Sequence, residues 1–266
     1  MNIFLKEMKL YRKSLLFWSI GVFLMVASGM AKYAAYSSSG QSINDLIADL
    51  PRSLKAVMGF GVVDLSKISG YYSLLYIYLL LMATIHAAML GASIIAKEER
   101  DKTAEFLFVK PVSRNTIVAA KLLAAFTNIA IFNLVTLVSA ITLIEKYNSA
   151  GEAVNGEIVL TQVGMFILQV LFLAIGSALA AVKKKPKTAP SLATGILLLT
   201  YMLSIAIDLN ENIEWLKYIT PFKYFEAKNL MLGSGLEPIF ITLSVILTAL
   251  LLVATFIFYK KRDLNI

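Results

Sequence analysis

The stretch KEERDKTAEFLFVKPVSR, residues 97–114, lies between two long apolar runs and decides how the rest of the chain is read. It is too short to be a domain. It is also too charged for the bilayer, where an ionised side chain at mid-depth costs at least about 2.5–3.5 kcal/mol. The stretch therefore sits in water at a membrane face. Its front, 97–105, is rich in charge, and its back carries Phe106, Leu107, Phe108 and Val109. Pro111 ends the helical pattern, because it lacks an N–H donor and disfavours helical geometry at Lys110. Ser113 is then placed to cap the next helix. The result is a rod of about three turns, roughly 18 Å long at about 1.5 Å per residue. Such a rod can act as a lever, and its apolar residues suit either lipid or a groove on another protein.

Outward from this stretch the composition fixes the solvent. The apolar fraction is 58%, against roughly 45–50% in soluble domains, and the mean hydropathy is +0.74. Six nearly uncharged runs, 14–31, 70–96, 122–144, 158–182, 189–207 and 238–259, can each cross the hydrocarbon, which takes about twenty helical residues. Only helices fit. In lipid each segment has to satisfy its own backbone N–H and C=O groups, and the runs lack the alternation of barrel strands.

The fold class is thus all-α: a polytopic integral membrane protein, one domain over 1–266, with six transmembrane helices. The spacing predicts an interfacial helix at 1–13 and spans at 14–36, 70–96, 115–144, 158–182, 189–208 and 237–259. The rod occupies 97–112 between the second and third spans, and an outer hairpin occupies 213–236 between the fifth and sixth. In the opening MNIFLKEMKLYRK, Ile3, Phe4, Met8 and Tyr11 share a face while Lys6, Lys9, Arg12 and Lys13 reach water. A basic leader to the first span is the competing reading. The run 14–31 is longer than a signal-peptide h-region of about 7–15 residues, so a cleaved signal is disfavoured.

Six spans place both termini on one side. That side collects Lys6, Lys9, Arg12 and Lys13; Lys97, Arg100, Lys102, Lys110, Arg114 and Lys121; Lys183, Lys184, Lys185 and Lys187; and Lys260, Lys261 and Arg262. Seventeen of the 25 basic residues lie there, which makes it cytoplasmic by the positive-inside rule. The expected location is a plasma membrane, bacterial, with both termini in the cytosol. The net charge of +8 borders the apolar runs and forms no single basic face, which excludes nucleic acid as a partner. The absence of cysteine excludes disulfides and thiolate metal sites.

The outer connections carry pattern of their own. Leu46, Ile47, Leu50, Leu54, Val57 and Met58 recur at helical spacing around Pro51, predicting an amphipathic hairpin on the outer leaflet. Trp215, Tyr218, Phe222, Tyr224 and Phe225 surround Pro221, and Tyr71, Tyr72, Tyr76 and Tyr78 open the second span. Both groups read as aromatic belts at the membrane surface in preference to ligand cages.

Reactive chemistry is sparse. No GxxxxGK[ST] occurs, so the chain has no P-loop. His86 is the one histidine, with no companion ligand at helical spacing, and no metal site is expected. It reads as a substrate contact or as a neutral imidazole bonded between helices. Asn128, Asn133, Gln162 and Gln169 either line a polar seam or bond between helices at about 0.6 kcal/mol each. Ala83, Ala87 and Gly91, and Gly176 with Ala180, mark close helix contacts within the chain or across a dimer. A secondary carrier would need ion-coupling groups or half-helices, and neither is present. An intramembrane protease with EExxxR would need arginine at the position of Thr103.

The segment EERDKTAEFLFVKPVSR, 98–114, resembles the coupling-helix signature of ABC-2 type permeases, the membrane subunits of type V ABC exporters. ADLPRSLKAVMGF (48–60), SGYYSLLYIYL (69–79) and YITPFKYF (218–225) are similar to the same family, in the same order. The chain departs from it at Lys102, where members often carry glycine. The resemblance implies a permease dimer, homomeric or heteromeric, on two copies of a separate ABC ATPase. It implies a non-catalytic chain that binds no cofactor, with ATP and Mg in the partner. Glu98, Glu99, Glu105, Phe106, Leu107 and Arg114 would touch the ATPase, the N-terminal helix would be the interfacial elbow, and Pro221 and Phe222 would lie in an outer re-entrant hairpin. The implied cargo is amphipathic or hydrophobic, with toxin or antimicrobial peptides ahead of lipids or glycolipids. A mostly apolar path with a few amides suits a peptide better than a soluble sugar.

Overall fold

The computed structural model describes residues 2–38, 43–60, 63–102, 112–183, 186–233 and 235–261. Among them the regular structure is helical throughout: α1 (Ile3–Ser38), α2 (Ile43–Ala48), α3 (Arg52–Met58), α4 (Ile68–Arg100), α5 (Arg114–Tyr147), α6 (Asn155–Val182), α7 (Ala189–Leu209), α8 (Ala227–Leu232) and α9 (Pro238–Lys261). Six of these, α1, α4, α5, α6, α7 and α9, are long and apolar enough to cross a membrane.

Most helices overrun the apolar runs that predict them. Residues 3–13, expected as a helix of their own, run without a break into the first span: α1 is continuous from Ile3 to Ser38, and no proline interrupts its backbone donors. α4 carries its charged end on to Arg100. α5 starts at Arg114, where the Ser113 hydroxyl accepts from the Thr116 N–H at 3.2 Å. At the far side of the first connection, α2 and α3 flank Pro51, and α3 stops at Gly59, whose φ of 75° lies in the left-handed region. The 213–236 region contains 3₁₀ helices Glu211–Ile219 and Pro221–Lys223 followed by α8.

α4 and α6 form the centre, and both are mostly buried. Their backbones meet at two glycines. A Cβ at Gly91 would lie 2.2 Å from the Leu173 carbonyl oxygen, and one at Gly176 would lie 2.2 Å from that of Ala88. The small residues therefore serve a contact inside the chain, as backbone approach of this kind requires. Ala83, Ala87 and Ala180 are fully buried in the same core. α1 packs on α5, α9 on α6 and α7 on α4, leaving outer faces such as Leu16, Phe17, Leu199, Met202 and Leu250 exposed. Apolar surface of that extent suits lipid.

Candidate functional site

The N-terminal turns of α1, the last turns of α4 and the first turns of α5 converge at the end of the bundle where both termini lie. The 97–112 segment is rooted there. Residues 103–111 lie outside the described residues, and with them the greater part of the expected rod, Glu105, Phe106 and Leu107 included. Its near stem is described. The Asp101 N–H donates to the Lys97 carbonyl at 2.8 Å and that of Lys102 to the Glu99 carbonyl at 3.3 Å. Lys102 has φ 55°, the one positive φ outside glycine among the described residues. A left-handed residue just past a helix end is where glycine costs least, which gives the departure at this position a physical meaning. Asp101 accepts from Arg100 at 3.0 Å, and that bond holds its carboxyl below the usual range.

Behind the stem lies a buried ionic cluster. Lys121 is fully buried, and its ammonium donates to the Ile94 carbonyl at 2.6 Å, Glu98 Oε2 at 2.7 Å and Glu7 Oε1 at 3.5 Å. Lys97 Nζ stands 3.8 Å from Glu7 Oε2. Two amines thus face two carboxylates, and all three donors of Lys121 are used. Glu7 is 1% and Glu98 8% exposed. Glu98, expected to meet the ATPase, is turned inward because a buried ammonium demands a counter-charge. The cluster ties α1, α4 and α5 together. Arg114 is half-buried at the start of α5, and its Nη1 donates to the Lys260 carbonyl of α9 at 3.0 Å. Glu99 is half-buried beside Glu98.

Deeper in the bundle the polar residues join helices. Asn133 Nδ2 donates to the Gln162 carbonyl and to Gln169 Oε1, each at 3.2 Å. Gln162 Nε2 donates to the Tyr72 hydroxyl at 3.1 Å. Gln162 and Gln169 thus knit α4, α5 and α6. His86 is 3% exposed and packs between the rings of Trp18 and Phe132, at centroid distances of 5.2 and 5.0 Å. Its Nδ1 has no hydrogen-bond partner among the described residues, nor has Asn128 Oδ1. Each such orphan costs about 1–3 kcal/mol. These two side chains are enclosed by the bundle and do not line the cavity described below.

The opposite end is built differently. The Glu152 carboxylate accepts from the N–H groups of Ile68 and Ser69 at 3.1 and 3.3 Å and from the Ser69 hydroxyl at 2.8 Å, closing the N-terminus of α4. Asp64 accepts from Asn44 at 2.6 Å and from the N–H and hydroxyl of Ser66 at 3.0 and 2.5 Å, which lowers its pKa. Pro221 and Phe222 are buried, and the Phe222 ring meets those of Phe172 and Tyr201 at 5.4 and 5.3 Å. Lys223 pairs with Asp208 at 2.5 Å and with Glu226. The Tyr224 hydroxyl donates to the Tyr218 carbonyl at 2.5 Å, and burial raises its pKa to about 12. Between α3, α4, α7 and α8 lies a cavity of about 480 Å³ with mostly apolar walls and charged residues at its rim.

No group of three His, Cys, Asp or Glu side chains among the described residues is placed to hold a metal ion. The buried cluster and the interhelical amides hold elements together. Comparison with curated proteins gives no match. A family model for ABC-2 family transporter proteins matches residues 1–264, nearly the whole chain. With six apolar spanning helices beside that match, the protein is a multi-pass membrane component of an ABC transporter, and the chain belongs to the ABC-2 transporter family.

Proposed function

We propose that this chain is the permease subunit of an ATP-driven exporter, receiving work through residues 97–112 from a separate ATPase in the cytosol. The observation that supports it is the Lys121 cluster. It sits at the root of that segment and joins α4 and α5, which hold the segment's two ends, to α1. A push on the segment would then reach three spans together. Glu99, Glu105, Phe106, Leu107 and Arg114 form the docking face in this reading, with the aromatic and leucine side chains as anchors and the charges as guides. Two copies of the permease stand on two ATPase subunits, and the termini face the cytosol.

The cargo is an amphipathic peptide of toxin or antimicrobial type, which matches the apolar interior with its few amides. Coexpression with a candidate ABC ATPase tests the assignment. The ATPase should copurify with the permease, and inside-out vesicles should take up such a peptide only with ATP. Replacing Phe106 and Leu107 by aspartate should abolish copurification. A retained complex with undiminished transport would remove those two residues from the interface.

A further inference from the structure

We propose that the cavity at the hairpin end binds an anionic single-chain amphiphile, its chain along Leu74, Ile77, Phe222 and Phe225 and its head group at Arg52 and Lys55. The volume of about 480 Å³ falls in the range of small-molecule sites, about 300–1,000 Å³. Its walls are apolar over most of their extent, and such a surface favours a hydrocarbon body over water.

The sign of the head group follows from the rim. Asp208 and Glu226 both belong to the lining, but Lys223 engages both, and Lys228 stands 3.1 Å from Glu226. Their charge is met within the protein. Arg52 and Lys55 face the same space from α3 with no acid of the lining paired to them. Lys55 spends one donor on the Ala48 carbonyl at 2.7 Å, leaving two of its three for a ligand. Arg52 is exposed, and its planar guanidinium suits a phosphate or carboxylate through two parallel bonds.

A second observation concerns the wall. Tyr76 forms part of the wall and is fully buried, yet its hydroxyl has no partner among the described residues. Ser73 and Ser204, the hydroxyls nearby in the lining, are already bonded to backbone carbonyls. The Tyr76 hydroxyl is itself enclosed, so a head group is met at the rim, by Arg52 and Lys55. This assignment goes beyond the export reading and is independent of it, because it concerns binding by the chain alone.

The test uses the purified full-length chain in a neutral detergent, with binding followed by native mass spectrometry and by titration. The probes are lysophosphatidylglycerol, lysophosphatidylcholine and inorganic phosphate. Lysophosphatidylglycerol should bind at least tenfold more tightly than lysophosphatidylcholine, and millimolar phosphate should neither bind nor compete. In the double variant Arg52→Gln, Lys55→Gln that preference should vanish while lysophosphatidylcholine binding stays as it was. Equal binding of the two lysolipids, phosphate binding as tightly as the anionic one, or a double variant that keeps the preference would each overturn the proposal. So would displacement of the anionic lysolipid by a cationic amphipathic peptide, which would make the cavity a peptide site.

Discussion

At the terminal end of the bundle, Lys121, Glu98 and Glu7 are withdrawn from water and are met by one another, by Lys97 and by the Ile94 carbonyl. At the hairpin end, Glu152 and Asp64 cap backbone and side-chain donors while partly or largely open to solvent. The first arrangement has no fallback, since each member that loses its partner remains a buried charge. In the second, water can replace a missing bond. The contrast fits the exporter reading proposed above, in which the end that carries Lys121 passes force from the 97–112 segment to three helices together.

Removing the buried ammonium by Lys121→Met probes the contrast at its strongest. It should lower unfolding stability by about 3–5 kcal/mol, the cost of stranding buried carboxylates. Adding Glu98→Gln and Glu7→Gln to that variant should restore most of the loss. Unfolding midpoints in detergent read both, and a single variant as stable as the parent would erase the difference between the ends.

At the hairpin end, Glu152→Ala should cost less, about 0.5–2 kcal/mol, the range for losing a helix N-terminal cap. A loss equal to that of Lys121→Met would break the comparison from the other side. Lys102→Gly tests the stem itself. Relief of the left-handed backbone, offset by the freedom glycine gains when unfolded, should leave the protein more stable by up to about 1 kcal/mol. A clear loss by the same midpoint measurement would mean that the Lys102 side chain does something its backbone does not reveal.

The smallest effect belongs to Asp64. Hydrogen bonds from Ser66 and Asn44 depress its pKa, so its contribution is present above the ordinary carboxylate range and fades as pH falls through its folded value. Asp64→Asn should lower stability slightly at neutral pH and flatten the acid limb below about pH 4, so that variant and parent converge in acid. An unchanged acid limb would show that these exposed bonds contribute nothing.

The spanning helices were legible because lipid demands long uncharged runs, and such runs announce themselves in a single chain. Their ends were not. A helix does not stop at the edge of the hydrocarbon, so Ile3 to Lys13 and Lys97 to Arg100 continue helices that composition alone would have ended. The pairing of Gln162 with Gln169 on one face was readable from their spacing, but the Asn133 side chain that meets both comes from another helix. Lys121 shows the limit most sharply. In sequence it is one more basic residue near a cytosolic border, and its partner Glu7 stands 114 positions away. Nothing in either neighbourhood marks them as a pair. The cavity was equally hidden, since α3, α4, α7 and α8 contribute to it from distant parts of the chain.

The twin glycine crossings of α4 and α6 carry a consequence for watching this protein at work. With Gly91 and Gly176 each seated against a facing carbonyl, the two helices approach backbone to backbone at both crossings, which favours their moving as one unit. In the exporter reading proposed above, spectroscopic labels placed one on each should report a constant separation with and without ATP. That pair would serve as a built-in ruler against which any displacement of α1, α7 and α9 can be gauged.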